Sequence, residues 1–373
     1  MTVAAMAGAA PPGWRDRLHA LRNRMLASPR FQHWAAAFPL TRPIARREAA
    51  ALFDLCAGFV YAQTLAACVS LDLFERLAAG PVAIGTLAGE GGMMPEAMLR
   101  LIRAGAALRL LETDGSSAQL GPLGAALRGN PGIAAMVRHH ALLYRDLADP
   151  VALLRGEANA SLAAFWPYEQ ANDERALAYS ALMAATQPMI AGEILAAYDF
   201  RRHRRLLDVG GGDGSFIAAV AKVAPLLDVM LFDVPAVAAL AGRRLEAAGL
   251  AARSRVLAGD MRCDVLPRDA DIITLVRVLH DHDDAQAMAI LRNVRASLAS
   301  GGTVMVAEPM AGTKGAQSMG DAYFGLYLFA MGSGRPRRPA ELVAMFEAAG
   351  FIGAKRHTTR QPMLASVMTA VAP

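Results

Sequence analysis

The stretch Arg205-Leu-Leu-Asp-Val-Gly210-Gly-Gly-Asp-Gly214 constrains this 373-residue chain more than any other. A short apolar run enters a glycine-rich turn, and an apolar helical segment from Ser215 to Ala224 follows, so strand, turn and helix succeed one another. From 205 onward short β runs keep alternating with helices, which predicts a parallel sheet in an α/β domain. Glycines in the turn let the backbone approach a ligand closely, and the helix N-terminus offers free N–H groups to an anionic end of that ligand.

The spacing discriminates between ligands. A dinucleotide fingerprint G-x-G-x-x-G would need glycine at position 215, where Ser215 stands; the sequence instead has G-x-G-x-G through Gly210, Gly212 and Gly214, with Asp208 two residues ahead. This favours S-adenosylmethionine over a nicotinamide cofactor. A second strand, Asp228 to Phe232, ends in Asp233, placed to accept ribose hydroxyls. A third, Arg255 to Ala258, runs into Gly259-Asp260-Met261, where an acid can accept from an adenine amino group and a thioether can lie on the ring. The fourth, Asp271 to Val276, leads into Arg277-Val-Leu-His280-Asp281, with Arg277 and Asp281 assigned to the cofactor site and His280 at the carboxyl end of the sheet, where ligands of open α/β folds bind. The fifth strand ends in Glu308, whose carboxylate is expected to hold one nitrogen of His280 and leave the other free as a general base. His280 and His282 do not reach the i, i+4 spacing of a helical ligand pair, so no metal site is expected there.

Ahead of this domain the chain is apolar and helical. Residues 1–48 form an arm in which arginines alternate with Trp14, Leu18, Leu21, Met25 and Trp34. Residues 49–132 contain a short helix over Ile84 to Gly89, a second from Pro95, a strand at Leu110 to Glu112, a turn at Asp114-Gly115 and a strand near Gln119-Leu120: a winged helix. Its second helix exposes only Glu96, Arg100 and Arg103 as charges and has no Asn, Gln or Lys for base edges, so no nucleic acid is expected as partner. Residues 133–198 read as a helical linker, and 199–373 as the catalytic domain.

Composition sets the remaining bounds. Apolar residues make up 54% and charged residues 19%, yet no uninterrupted apolar run reaches the ~18 residues that span a bilayer. The first residues lack a basic segment before their apolar stretch, so a cytoplasmic location is expected. Cys56, Cys68 and Cys263 are too few and too far apart for a disulfide framework. The net charge of +5 is dispersed apart from the arm and two clusters, Arg201-Arg202-His203-Arg204-Arg205 and Arg335-Pro336-Arg337-Arg338, both expected to be solvated loops.

Taken in order, LLDVGGGDG, FDVP, GDM, VLHDHDD and VAEP resemble the small-molecule O-methyltransferase family that includes plant caffeic acid and flavonoid enzymes, over roughly residues 50–373. The resemblance implies a seven-stranded Rossmann-like sheet behind a winged-helix homodimerisation domain, with His280 as base and Glu308 as its orienting partner. It also implies an acceptor pocket lined by Trp166 and Met183 from the linker and by Tyr323, Tyr327 and Met331 after the fifth strand. Two departures stand out: His282 replaces the family's usual tryptophan, and Pro336 stands where plant members carry a second glutamate. The segment DAYFGLYLFAMGSGRPR (321–337) is similar to a bacterial branch that methylates the tertiary 1-hydroxyl of acyclic carotenoids. On that branch the partners are a carotenoid acceptor, a second copy of the chain and, through the arm, a membrane surface. Phenols, polyketides and chlorins are the alternative acceptors; a non-catalytic winged-helix regulator is the alternative of another class.

Overall fold

The computed structural model describes residues 13–157, 160–165 and 173–373. These fall into two compact units divided between Cys68 and Val69. In the first, helices Trp14–Leu26 and Pro29–Ala37 precede the 29-residue helix Arg42–Ser70, whose last residues cross the division. Proline at the first turn of the second helix sets φ where a helix can use it. The long helix is apolar enough, by length and composition, to cross a membrane, although Asp54 and Gln63 interrupt its apolar residues.

The second unit opens with the wing. Strands β1 (Val82–Ala83), β2 (Leu111–Thr113) and β3 (Ser117–Leu120) form an antiparallel sheet in the order β1-β3-β2. Sequence reading anticipated β2 and β3 but not β1, because two residues are too few to show any alternation. The turn between β2 and β3 is built by Asp114, whose Oδ1 accepts from the amides of Ser116 and Ser117 at 2.8 and 2.7 Å, with Gly115 at φ +93°. Helices Ile84–Glu90 and Pro95–Ala107 complete the winged helix.

The larger sheet has seven strands: β4 (Arg205–Val209), β5 (Asp228–Asp233), β6 (Ser254–Ala258), β7 (Ile272–Val276), β8 (Thr303–Glu308), β9 (Ile352–His357) and β10 (Ser366–Val371), in the order β6-β5-β4-β7-β8-β10-β9. The first five are parallel, and β10 runs antiparallel to both neighbours. Successive side chains enter opposite cores, Leu206 with Ile272 and Met305 on one face and Leu207 with Ile273 and Val306 on the other, which explains runs that are apolar throughout rather than alternating. β4 lies between β5 and β7, so the chain reverses its winding direction beside β4. A crevice opens at such a switch point, at the carboxyl ends of the strands.

Candidate active site

The glycine-rich turn leaves β4 at that crevice. Gly210, Gly212 and Gly214 have φ of +69°, +61° and +80°, a region that side chains with a Cβ rarely adopt. A Cβ on Gly210 would come within 2.8 Å of the Val278 side chain, whereas one on Gly212 would meet only Ser180 Oγ at 3.9 Å, so the turn is tight on one side and open on the other. Helix Ser215–Val223 then starts directly from Gly214.

Two carboxyls lie beside the turn, and one of them, Asp233, binds it. Asp208 is buried; its Oδ1 accepts from Thr274 Oγ1 at 2.6 Å and its Oδ2 has no hydrogen-bond partner. Burial pushes its pKa up to about 7, the Thr274 bond opposes this, and the neighbouring Asp233 adds to it. Asp233 accepts from the amides of Gly212 (2.8 Å) and Val234 (2.7 Å), and burial outweighs those bonds to raise its pKa to about 6. A carboxylate has about four lone-pair sites, so Asp233 can still accept from a diol.

Gly210, Asp233, Asp260, Met261, Arg262 and His282 line one cleft. The donor set suits S-adenosylmethionine: an orphaned buried carboxylate oxygen and a left-handed glycine turn stand beside a carboxylate and thioether wall. Asp260 is also held by Arg262, which reaches its carboxylate at 2.8 Å. Sequence reading did not identify Ser180, whose buried Oγ approaches the turn. Nor did it foresee that His282, in the tryptophan position, would join this cleft with its Nδ1 3.2 Å from Gln286 Oε1.

His280 sits on the turn Leu279–Asp281 after β7 and is buried. Its contacts differ from the expectation. Glu308 does not hold the imidazole; its Oε2 accepts from the backbone amide of His280 at 3.1 Å, capping the turn from the end of β8. The ring instead places Nε2 3.2 Å from Asp281 Oδ1, while His280 Nδ1 and Glu308 Oε1 have no hydrogen-bond partner. The reason is geometric: the turn directs its amide, rather than its ring, toward the adjacent strand end. Burial, the largest influence on His280, pulls its pKa down, but Asp281 and Glu308 together leave it raised. Asp281, expected in the cofactor site, therefore faces the His280 imidazole through Oδ1, with Tyr179 Oη 3.5 Å from its other oxygen.

An aromatic wall adjoins His280. Phe324 tilts against the imidazole with centroids 5.6 Å apart, and Tyr323 and Tyr327 stack at 5.7 Å. Tyr327 and Met331 belong to one apolar cluster, against which Tyr323 packs. A π-helical turn, Ser318–Tyr323, leads into helix Phe324–Met331. Each tyrosine hydroxyl has a histidine partner: His139 Nε2 lies 2.9 Å from Tyr327 Oη, and His140 Nε2 lies 2.7 Å from Tyr323 Oη. Burial lowers the His139 pKa to about 4, with His140 adding to the shift, and burial also lowers that of His140. Both tyrosines are pushed well above their ordinary value by burial. Each of these shifts favours the neutral form of its group, and each hydroxyl–imidazole pair meets its own polarity. Sequence reading missed both histidines. Met183 lies against the guanidinium of Arg277, whose charge also acts on Tyr323, Tyr327 and His280 and which donates to Thr186 Oγ1 at 2.8 Å. Trp166 lies outside the described residues.

The two basic clusters diverge. Arg201 and Arg204 are exposed, as expected. Arg337 contradicts the solvated-loop expectation, because its side chain is 0% exposed.

Residues 144–352 match the model of the O-methyltransferase domain, and residues 53–123 match that of the O-methyltransferase dimerisation domain. The chain is 45% identical to the demethylspheroidene O-methyltransferase of Cereibacter sphaeroides, over 95% of this chain and 96% of that one. It is 40% identical to the enzyme of the same name from Rhodobacter capsulatus, over 93% and 88%. Among solved structures, the SAH-bound methyltransferase of calicheamicin biosynthesis superposes with a TM-score of 0.74 at 27% identity, covering 88% of this chain and 98% of that one.

Proposed function

The chain belongs to the O-methyltransferase family and uses S-adenosylmethionine as its methyl donor; from that premise we propose that it methylates the tertiary hydroxyl of an acyclic carotenoid, with His280 as general base. The observation that carries the acceptor is the 45% identity, along nearly the whole chain, to an enzyme named for demethylspheroidene. The neutral aromatic wall beside His280 supports it, since a polyene needs apolar faces and no charge.

The residues divide the work. Asp233, Asp260 and Met261 are the groups that would hold the nucleoside, and the glycine turn the amino-acid end. The bound donor supplies a sulfonium methyl carbon and leaves as S-adenosylhomocysteine when the carbon–sulfur bond gives its electron pair to sulfur. With Nε2–H directed to Asp281, His280 presents an unprotonated Nδ1 that takes the hydroxyl proton as the oxygen attacks. Asp281 then stabilises the imidazolium that forms. A tertiary alcohol is a weak acid, so proton removal accompanies attack. Positioning supplies the larger share of the rate, since effective molarities of ~10⁵ M or more are attainable in oriented pairs.

The dimerisation domain makes the enzyme a homodimer. Its match begins at residue 53, inside the long helix, and Phe53, Leu55, Phe59 and Val60 are exposed in the single chain, apolar surface on more than one side of the helix that suits a second copy. In the arm, Trp14, Leu18, Leu21 and Met25 recur at helical spacing and are exposed, flanked by Arg15, Arg17, Arg22 and Arg24. This composition suits peripheral contact of a cytoplasmic enzyme with anionic lipid that delivers the carotenoid.

The test is methyl transfer from tritiated S-adenosylmethionine to demethylspheroidene, a bacteriochlorophyllide and a small catechol. Labelled carotenoid ether is expected. Preferential labelling of the chlorin or catechol would replace the acceptor, and no transfer to any of them would favour a binding role.

A further inference from the structure

We propose that Arg337 is the positioning residue of the catalytic turn: its buried guanidinium holds residues 279–284 in the shape that sets the His280 ring. This rests on the reading of His280 as base. Three features of segment 333–337 converge on that turn. Arg337 Nη1 donates to the Leu279 carbonyl at 2.6 Å and Nη2 to the His282 carbonyl at 2.8 Å, so one planar group ties the residues on either side of His280 and Asp281. Its Nε and Nη2 also reach Asp284 Oδ1 at 3.1 and 2.9 Å, fastening the start of the next helix. Ser333 Oγ donates to the Asp281 carbonyl at 3.0 Å, and a Cβ on Gly334 would lie 2.1 Å from the His280 carbonyl oxygen, so the two backbones are in close contact.

The chemistry requires arginine here. Two carbonyls and a carboxylate oxygen in three directions match the planar fork of a guanidinium, whereas an ammonium on a flexible stem cannot meet all three in one orientation. The imidazole itself meets Asp281 at Nε2 and Phe324 on its face, while Glu308 binds the backbone of His280 rather than its ring and Nδ1 has no partner, so the backbone of the turn sets where His280 and its Asp281 partner both stand. With Pro336 in place of a second glutamate, alignment of the base depends on the carbonyls around it. Arg337 is not among the residues that line the donor cleft, and it acts through His280.

The experiment is a double-mutant cycle on the full-length enzyme with S-adenosylmethionine and demethylspheroidene. Turnover is expressed per S-adenosylhomocysteine-binding site, so that unfolded protein is not counted. Arg337→Gln is expected to lower kcat about 10- to 100-fold with donor affinity unchanged, and Arg337→Lys to restore little of it. In a His280→Gln background, Arg337→Gln should cost no more than about twofold further, because the ring it positions is gone. A full, additive loss in that background would overturn the positioning role. Near-normal turnover of His280→Gln alone would instead overturn the base reading. If Arg337→Gln does not fold, the same cycle with Asp284→Asn decides: Asp284 is exposed at the surface, and its loss should show the same non-additivity at smaller amplitude.

Discussion

The two arginine clusters, 201–205 and 335–338, look alike in sequence and end in opposite environments. Arg201 remains 71% exposed and pairs with Asp199, two residues away on the same surface turn. Arg337 is 0% exposed and pairs with carbonyls more than fifty residues away. The same side chain is a solvated charge in one place and an internal brace in the other. What differs is the set of acceptors the fold delivers: one local carboxylate in water, against two backbone carbonyls and a carboxylate in the interior. Burying a guanidinium is tolerated only where its donors are met in this way.

That contrast can be broken most directly by stability. Arg337→Gln is expected to lower the unfolding free energy by about 3 to 5 kcal/mol, chiefly by leaving buried carbonyls without a donor. Urea denaturation of the apoenzyme checks it, and an unchanged midpoint would contradict the brace.

Asp208 sharpens the contrast from the acidic side, since it is buried with one oxygen unpaired. Its folded-state pKa, about 7, lies above the ordinary carboxylate value. Its favourable contribution is therefore complete only below about pH 4 and is lost as pH rises through 7. The Asp208→Asn apoenzyme, which cannot ionise there, should match the wild type near pH 4.5 and exceed it by roughly 2 to 3 kcal/mol at pH 8. Parallel stability curves would place Asp208 in a more solvated setting.

His139→Phe tests a smaller term, the internal pairing of the aromatic wall. Removing the partner of a buried tyrosine hydroxyl should cost about 1 to 2 kcal/mol, and Tyr327→Phe in the same chain should recover much of it. At the solvated end of the comparison, Arg201→Gln is expected to leave both the melting temperature and turnover unchanged.

How far the molecule can be read from its sequence depends on how local each feature is. The strand, glycine turn and helix at 205–223 were legible because apolar run, glycine spacing and helix start lie within twenty residues. That Asp233, Asp260 and Met261 converge on one cleft was legible for the same reason, each standing at or just beyond the end of a recognisable strand. The partners of Tyr323 and Tyr327 were not, because His139 and His140 meet them across more than 180 residues and a histidine pair in a helix has no distinctive pattern. Glu308 is an intermediate case. Its position beside His280 follows from adjacent strand ends, but whether it meets the ring or the amide depends on the tilt of a three-residue turn. The burial of Arg337 was illegible, since nothing near it in sequence identifies the carbonyls it serves.

The central claim is that methyl transfer here depends on His280 as a base. It is tested most directly by kcat for His280→Gln with S-adenosylmethionine and demethylspheroidene, beside calorimetric affinity for S-adenosylhomocysteine. The account predicts turnover lowered at least about 10²-fold with affinity unchanged. Turnover within a few-fold of wild type would contradict it, and would assign the rate to positioning alone.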